Sequence, residues 1–396
     1  MSLYGERSGE VLSRLREGDD SQARHLAEII QRVRPDVLLL NEIDNDPAGE
    51  TVQAFCEKYL AVPQHISQAP SGPAEPIAYA YWYSAPSNTG KHSGFDLNRD
   101  GRVEMTPGSD AFAADCWGYG QYEGQYALAV LSKFPIDRDA IRTFQSFRWK
   151  DMPAAMVPDD PTTPAPADWY RANELKEFPL SSKNHCDVPV VLGDRVTHLL
   201  VSHPTPPIFD GDEDRNGRRN HDEIRLWKDY VGPANRAAYI YDDQGKRGGL
   251  AHGESFIILG DLNSDPHDGD GPTGIRQLLA SPRVLEYAPP ASAGAAEQSR
   301  LQGDANANHR GDPSNDTCDP ADSPGPGNLR IDYVLPSADL AVGDSGVFWP
   351  TSDDPMFRLV GVHPFPSSDH RLVWVDVIIA SNEPSTNGGR AERSNR

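Results

Sequence analysis

Basic residues are scarce in this chain, and long apolar runs are missing. The 396 residues include 37 Lys and Arg against 59 Asp and Glu, which gives a formal net charge of −22. Such a surface repels polyanions at long range, so any contact with nucleic acid must be local or bridged by cations. No segment stays apolar over the roughly 20 residues that a membrane-spanning helix needs. The sequence therefore predicts no membrane span.

Cysteines are few and far apart. Cys56, Cys116, Cys186 and Cys318 do not have the close spacing of zinc ligands, which argues against a zinc site built on cysteine. Their even number permits two disulfides, and buried free thiols fit equally well. The first residues, Met1–Leu12, contain neither a basic flank nor an apolar run, so this sequence shows no signal peptide.

One buried strand with a polar end is conspicuous within Ser255–Pro266. Phe256–Leu259 is a short apolar run typical of a strand covered on both faces, and Asp261 and Asn263 follow it closely. A carboxylate and a carboxamide at the mouth of a rigid strand suit a hard metal ion or a phosphate group. A strand followed by an Asx turn explains the same residues. The two interpretations separate only if other segments end in the same way.

Four further segments do carry polar side chains in or beside short apolar strands. Proline holds the residue before it extended, so Pro204 presents the side chain of His203 at a strand end. Each alone is explained by an exposed strand terminus or a satisfied core histidine, but together they offer acidic ligands for Mg²⁺ or Mn²⁺ and two imidazoles. That set is what metal-assisted phosphoryl hydrolysis needs. The residues are Glu42, His203, Asp332, Asp369 and His370.

Two Asp-rich loops raise the alternative of a structural Ca²⁺ ion. Phe95–Val103 begins like a calcium loop, but Pro107 stands where the bidentate Glu belongs. Asp210–Glu223 has the acidic spacing with Arg219 at a position that favours an apolar residue. A polar turn explains the first loop as well as a calcium site does. For the second, a helix over Glu223–Val231 is the stronger interpretation.

A basic cluster precedes that helix and is unusual in so acidic a chain. It consists of Arg215, Arg218 and Arg219. Guanidinium groups recognise phosphate oxygens through paired hydrogen bonds. We therefore expect this cluster to face the site as anion contacts, with Arg218 as a substrate-binding residue.

Four motifs, taken in order, resemble the signature segments of a known family. NEID, GDLNSDP, RIDYVLPS and SSDHRLVW are similar to those of the endonuclease/exonuclease/phosphatase superfamily, which has the DNase I-like fold. The resemblance extends from the first helix to Ile379. It implies an α/β fold, a four-layer α/β/β/α sandwich of two mostly antiparallel sheets with helices outside. The domain would cover residues 1–380, followed by a disordered polar tail over residues 381–396.

The resemblance also implies metal and phosphate ligands. Glu42 matches the principal ligand of Mg²⁺ or Mn²⁺, with Asp369 as its partner. Asp261 and Asn263 match the pair that orients the nucleophile or a second metal and contacts the phosphate. Tyr126 falls where family members carry a Tyr or Asn near the phosphate, a weaker match.

Three more residues match the catalytic positions of the family. His370 corresponds to the general base, and Asp332 to the carboxylate that orients it. His203 corresponds to the imidazole that stabilises the transition state.

One part of the family pattern is missing at the start. The family begins with a central strand that ends in Asn, whereas this sequence opens at Met1–Tyr4 and has no Asn before Asn41. We therefore expect that strand to belong to a longer natural chain. A signal peptide would be lost with it, and we expect an extracellular or periplasmic location.

Together these features predict a divalent-metal-dependent phosphoesterase. Its substrate would be a phosphodiester or a phosphomonoester, either a small molecule or a nucleic acid, so both nuclease and phosphatase activities fit. The alternative is a non-catalytic relative that binds calcium or serves as a binding module, which the Asp-rich loops and the missing strand suggest. The complete set of acid, amide and imidazole residues favours the enzyme.

Overall fold

The computed structural model describes residues 3–320 and 324–379, and the predicted polar tail over residues 381–396 lies outside them. Short 3₁₀ or π turns also occur within several connections. The helices in the described residues are α1 Glu10–Glu17, α2 Ser21–Val33, α3 Glu50–Phe55, α4 Asp110–Ala114, α5 Ala172–Leu175, α6 Arg215–Tyr230, α7 Ala234–Ala237, α8 Pro272–Leu279 and α9 Ala293–Gln302.

Within the described residues the strands are β1 Val37–Ile43, β2 Tyr81–Ser84, β3 Ala127–Ser132, β4 Arg142–Thr143, β5 His185–Leu192, β6 Arg195–Ser202, β7 Ser255–Asp261, β8 Asp332–Pro336, β9 Ala341–Val347 and β10 Val373–Ile378. They form three groups of hydrogen-bonded neighbours. The orders are β1-β3-β2, β4-β5-β6-β7-β8 and β9-β10, and among these strands only the β6–β7 pair is parallel.

Three hydrophobic clusters define four layers. The middle cluster lies between the sheets and includes Leu128 and Val130 of β3 with Val188 and Val201 of β5 and β6. A second cluster packs α1, α2 and α3 on the outer face of β1 and β3. A third packs α6 and α8 on the outer face of β6, β7 and β8. The chain therefore has the predicted α/β/β/α arrangement with mostly antiparallel sheets.

Helix α2 shows how local sequence starts an element of the outer layer. The Asp20 carboxylate accepts a hydrogen bond from the Ala23 amide at 2.8 Å and caps the helix. Leu26, Ala27 and Ile30 then recur on one face and are buried against the sheet.

Helix α6 begins eight residues earlier than predicted, at Arg215 instead of Glu223. Its first half is polar in sequence but buried in the fold, because Asn220, Asp222 and Glu223 all bond to neighbouring segments. Buried polar residues conceal the apolar period from which a helix is predicted.

The cysteines and the helices bear on the predictions about disulfides and membrane spans. All four cysteines are free thiols, so no disulfide joins them. Among the described helices, none is both long and apolar enough to cross a membrane.

Candidate active site

The site forms where β6, β7 and β8 end at a common edge. Because β6 and β7 are parallel, His203 just after β6 lies beside Asp261 at the end of β7. Because β8 is antiparallel to β7, Asp332 at the start of β8 pairs directly with Asp261. Sheet topology thus brings together three side chains that are 58 or more residues apart, measured from His203 to Asp261.

Asp332 orients the imidazole of His370. Nδ1 of His370 lies 2.9 Å from Oδ2 and 3.1 Å from Oδ1 of this carboxylate. The Thr317 hydroxyl donates to the same Oδ2 at 2.8 Å and accepts from the Asp332 amide at 3.0 Å, which holds the carboxylate in place. With Nδ1 engaged, Nε2 of His370 is the atom that faces the reacting groups, and it lies 3.8 Å from Asp261 Oδ2.

His203 approaches the same carboxylate from the other side. Its Nε2 lies 3.2 Å from Asp261 Oδ2, and both side chains are almost fully buried. Its Nδ1 is buried and has no hydrogen-bond partner within the described part of the chain. A buried polar atom without a partner is costly and is typical of a site that receives a ligand or water.

Asn263 is held in place by its own backbone and by Pro204. The Asn263 amide donates to Asp261 Oδ1 at 2.9 Å, and its Nδ2 donates to the Pro204 carbonyl at 3.1 Å. The Lys183 ammonium reaches that same carbonyl at 3.5 Å. A carboxamide and a buried ammonium group therefore meet beside Asp261, as donors for an anionic substrate.

Three predicted site residues hold backbone conformations that L-residues seldom adopt. The φ angles of Glu42, Tyr126 and Asn263 are 57°, 54° and 50°, in the left-handed region. Each such residue costs about 1–3 kcal/mol unless its surroundings compensate. At Glu42 the strain coincides with a bulge in the β1–β3 pairing between Asn41 and Ile43. Strain of this kind concentrates at functional sites.

Tyr4 links the metal-ligand candidates to Tyr126. The two tyrosine rings meet edge to face with their centroids 4.5 Å apart. Burial raises the pKa of the Tyr4 hydroxyl, and the nearby carboxylates of Glu42 and Asp369 raise it further. Burial likewise raises the pKa of Tyr126, with added contributions from Tyr4 and Glu42. Glu42, Asp369 and the two tyrosines therefore surround one region.

Asp369 is positioned by the chain segment that also carries Thr317. The Asp319 amide donates to the Asp369 carbonyl at 2.8 Å, and Cys318 bridges to His370 in the backbone. Burial by itself would raise the pKa of the Asp369 carboxyl, but the adjacent His370, a backbone hydrogen bond and Arg371 together lower it below its usual value. Asp369 therefore stays ionised.

The charges at the centre are set by mutual attraction. Burial by itself would raise the pKa of Asp261, but His370 and His203 beside it bring that pKa well below its usual value. Burial by itself would lower the pKa of His370, but the Asp332 carboxylate and the other neighbouring acids raise it well above the usual value. At neutral pH the centre therefore pairs an anionic Asp261 with a cationic His370.

The oxygen-rich side chains fit a hard divalent cation. Potential ligand atoms of Asp261, Asp332 and His370 lie within 4.8 Å of one another, as do those of Cys318, Asp369 and His370. Burial of several acids in one region favours a cation that offsets their repulsion. The Oδ1 atoms of Asn41 and Asp44, on either side of Glu42, are buried and lack hydrogen-bond partners among the described residues. The carboxylates of this region fit a divalent metal, whose identity is left open.

Arg218 does not join the central cluster. It lies in the first turn of α6 with its Nε 3.7 Å from Asp214 Oδ2. The prediction that Arg215 and Arg219 face the site as anion contacts is wrong. Arg219 is buried and donates to the Leu180 carbonyl at 2.9 Å, and Arg215 pairs with Glu213. Two of the three arginines thus stabilise the fold, and a substrate-binding role for Arg218 stays a prediction.

Neither Asp-rich loop is arranged as predicted for a calcium loop. The Glu223 carboxylate accepts hydrogen bonds from the Ser182 and Thr205 amides, both at 2.6 Å, and is therefore committed inside the protein. In the first loop Asp96 and Asp100 accept from backbone amides two to five residues away. These are the bonds of a polar turn.

Sequence reasoning missed several residues of this region. Lys183, Thr317 and Tyr4 carry no motif, and their roles depend on segments distant in the chain. Lys183 had one detectable signal, because a lysine two residues before a buried strand is costly to bury unless acids surround it. Burial lowers the pKa of its ammonium group, although Glu223, Asp261 and Glu42 oppose that effect.

Comparison with known proteins agrees with the motifs. Residues 11–370 match the model of the Endonuclease/Exonuclease/phosphatase family. No curated protein matches the sequence.

Three solved structures are similar at low identity. One from Beutenbergia cavernae, described as an endonuclease/exonuclease/phosphatase, is 16% identical with a TM-score of 0.45; the match covers 90% of this chain but only 65% of that one. A family protein from Leptotrichia buccalis is 13% identical with a TM-score of 0.44 and coverage of 93% and 96%. A mannosyl-6-phosphatase from Bacteroides thetaiotaomicron is 11% identical with a TM-score of 0.42 and coverage of 96% and 97%.

The family model spans most of the chain and includes the segments that carry Glu42, Asp261, Asp332 and His370. The chain therefore belongs to the endonuclease/exonuclease/phosphatase family, a family of phosphoesterases.

Proposed function

We propose that the protein is a divalent-metal-dependent phosphoesterase that uses water to cleave a P–O ester bond. The observation that carries this proposal is the chain of contacts from Asp332 through His370 to Asp261 and on to His203. It places the Asp261 carboxylate between two imidazoles. The Asn263 carboxamide and the Lys183 ammonium lie beside it as hydrogen-bond donors. That set supplies a proton acceptor, proton donors and phosphate contacts in one pocket.

Glu42, Asp369 and Asp261 would hold the metal ion, Mg²⁺ or Mn²⁺. Their carboxylate oxygens are the hard ligands that these ions prefer. A bound ion would neutralise phosphate oxygens and assist the ionisation of water. The left-handed backbone of Glu42, at the bulge in β1, supports this role, because bulges re-aim side chains beside active sites.

Asp261 and Asn263 would position the attacking water. Asp261 is ionised, its Oδ1 accepts from the Asn263 amide, and its Oδ2 lies 3.3 Å from Asn263 Nδ2 and 3.2 Å from His203 Nε2. The lone pairs that these contacts leave would accept a proton from water. The Asn263 carboxamide and the Lys183 ammonium would then bind non-bridging phosphate oxygens. Both groups already converge on the Pro204 carbonyl, which a substrate oxygen would replace as acceptor.

The imidazoles of His370 and His203 would stabilise the negative charge that develops on the phosphate and the leaving oxygen. His370 is held cationic by Asp332, so in this state its Nε2 donates a proton and does not accept one. This favours proton donation to the phosphate or the leaving oxygen over the general-base role implied by the family resemblance. His203 would donate from Nε2 to the developing negative charge.

The substrate class is a further part of the proposal. A net charge of −22 disfavours long polyanions, so we favour a compact phosphodiester or phosphomonoester over duplex nucleic acid. An extracellular or periplasmic location stays a prediction.

The test is a panel of substrates and metals. Hydrolysis of bis-p-nitrophenyl phosphate, p-nitrophenyl phosphate and plasmid DNA would be measured with Mg²⁺, Mn²⁺, Ca²⁺ or EDTA. We expect turnover that EDTA abolishes and Mg²⁺ or Mn²⁺ restores. Turnover that His370→Ala leaves unchanged, or none in any arm with intact metal binding, would favour the non-catalytic alternative.

A further inference from the structure

A polar cavity of about 720 Å³ lies beside the segment that follows β4. Its lining includes Lys91, Arg148 and Arg247 together with Trp117 and Tyr241, and we call it the basic groove. Sites that bind small molecules usually measure roughly 300–1,000 Å³, so the basic groove has room for a ligand of that kind. Among the described residues that line it, none is a candidate catalytic or metal-ligand residue. The basic groove is therefore a second concave site on the protein.

The three basic side chains of the groove have no acidic partner. Lys91, Arg148 and Arg247 are all exposed, and within the described part of the chain none of them forms an ion pair. The guanidinium group of Arg247 lies 5.5 Å from the centroid of the Tyr241 ring, a cation–π contact that restrains the side chain. The chain has 59 Asp and Glu against 37 Lys and Arg, so acidic partners are abundant. Three basic groups that line one cavity without such a partner are available to an anionic ligand.

Two acidic side chains also line the basic groove, but the charge of one is already offset. The Asp151 carboxylate accepts a hydrogen bond from the Tyr241 hydroxyl at 2.7 Å and pairs with the Lys150 ammonium at 3.3 Å. Glu177 is exposed and makes no ion pair within the described residues. Three unpaired basic groups therefore outnumber one unpaired carboxylate, which leaves the groove positive in a chain of net charge −22. A local positive field in an acidic protein attracts anions.

One wall of the basic groove is a turn over residues 241–247 that is fixed to the segment of β4. Asp242 in this turn forms a buried ion pair with Arg142 of β4 at 2.6 Å. The Asp243 carboxylate accepts a hydrogen bond from the Ser146 amide at 2.8 Å. These bonds fix the turn, and with it the arginine at its end, before any ligand binds. A site that is fixed in advance loses less conformational entropy on binding.

Another wall separates the basic groove from the catalytic pocket. Asn88, which lines the groove, donates from its amide to the Lys183 carbonyl at 2.9 Å. The Lys183 side chain extends to the Pro204 carbonyl, which also accepts from Asn263 in the catalytic pocket. The backbone at Lys183 therefore lies between the two sites, and a single compact anion cannot occupy both.

We propose that the basic groove binds a free, compact oxyanion of the phosphate or sulfate class with two or more negative charges, at a site separate from the catalytic pocket. The guanidinium groups of Arg148 and Arg247 donate paired hydrogen bonds to its oxygens, and the Lys91 ammonium adds a third positive charge. The Gln145 carboxamide and the Ser93 hydroxyl, which also line the groove, are neutral donors. Because the basic side chains are exposed, binding weakens as ionic strength rises.

The test is a calorimetric titration of the full chain with inorganic pyrophosphate, in Mg²⁺ and again in EDTA. We expect binding in both buffers. Arg148→Gln and Arg247→Gln should each weaken it about tenfold, the usual worth of a hydrogen bond to a charged group. Arg300→Gln, at an exposed arginine of α9, is the matched control and should leave the affinity unchanged. No binding, binding that requires Mg²⁺, unchanged affinity in the groove variants or an equal loss in Arg300→Gln would each overturn the proposal.

Two further variants test the sign of the charge and the place of binding. Glu177→Gln removes the unpaired carboxylate of the groove and should strengthen pyrophosphate binding several-fold, because it removes a repulsion. Lys183→Met removes a phosphate donor of the catalytic pocket and should leave the affinity unchanged. Unchanged or weaker binding in Glu177→Gln, or loss of binding in Lys183→Met, would contradict the proposal, as would equal affinity for the uncharged sugar trehalose. These readouts do not use hydrolysis, so they stay informative if the proposed function fails.

Discussion

His203 and His370 approach the same oxygen of Asp261. Nε2 of His203 lies 3.2 Å from Oδ2, and Nε2 of His370 lies 3.8 Å from it. The two histidines come from distant segments of the chain. One carboxylate oxygen thus serves as the common neighbour of both imidazoles, and its negative charge contributes to the raised pKa of His370. Any change at Asp261 affects the whole centre.

Asp261→Asn keeps the shape of this side chain and removes its charge. We expect kcat for phosphate-ester hydrolysis to fall by about 10²–10⁴, the usual contribution of a positioned proton acceptor. The exposed Asp270, in the loop after β7, provides a matched control as Asp270→Asn. A kcat for Asp261→Asn within a few-fold of the control would remove Asp261 from the chemistry.

Asp332→Asn tests how His370 exchanges its proton. The Asp332 carboxylate raises the pKa of His370, so the Asn variant should lower that pKa. If His370 donates a proton, activity on the alkaline side should be lost at a lower pH than in the parent. If His370 is a base, the acidic limb should move to lower pH instead. The pH profile of kcat/KM distinguishes these outcomes, and an unmoved profile would contradict the pairing.

The pairing of Asp332 with His370 also predicts how the stability of the fold depends on pH. A raised pKa in the folded state means that His370 stabilises the fold below its unfolded pKa of about 6.5. That contribution disappears as pH rises through the folded pKa. The urea midpoint of Asp332→Asn should therefore fall below that of the parent at pH 5–6 and approach it at high pH. A deficit that is constant across pH would indicate lost packing alone.

Lys183→Met keeps the aliphatic stem and removes the ammonium group. Because the ammonium lies beside Asn263 and would contact phosphate, we expect a rise in KM of tenfold or more, or a loss in kcat if the contact forms only in the transition state. Lys176→Met removes a lysine that is exposed and serves as the control. Because an ammonium group is costly to bury, its removal in Lys183→Met should leave the melting temperature unchanged or higher. Equal kinetics in the two variants would exclude Lys183 from the site.

Asn263 combines a strained backbone with a functional side chain, and two variants separate the roles. Asn263→Gly relieves the left-handed φ, whereas Asn263→Ala retains it with a side chain that tolerates it less well. We expect the Gly variant to be about 1 kcal/mol more stable than the Ala variant. Both should lose activity, since both lack the carboxamide. Activity that follows stability would mean that strain, not the amide group, is what matters.

Asp44 should make the protein less stable as pH rises. Burial raises the pKa of this carboxyl to about 7, although a hydrogen bond from Tyr122 opposes the shift. Between the unfolded pKa near 4 and about 7, the unfolded chain releases a proton that the folded chain retains, so the free energy of unfolding falls. Asp44→Asn should abolish that slope and be more stable at pH 8, by an amount on the order of a few kcal/mol. Parallel stability curves for parent and variant would contradict this.

Short apolar runs with polar ends were sufficient to identify several of the side chains that the fold brings together in the candidate site. Asp261, Asn263 and His203 each follow a strand that is evident from its residues, and His370 precedes one. The motifs also identified the layered fold. These signals are local, because a buried strand and the turn that ends it leave their pattern in about ten consecutive residues.

Contacts between distant segments were decided only by tertiary structure. Lys183, Thr317 and Tyr4 reach the site through strand pairing and loop packing, which leave no local pattern. The buried polar residues of α6 concealed its true start, and the committed carboxylate of Glu223 removed a calcium ligand. The sequence by itself determined which side chains could do the chemistry. The fold decided which of them meet, because proximity across a sheet depends on the pairing order and not on spacing along the chain.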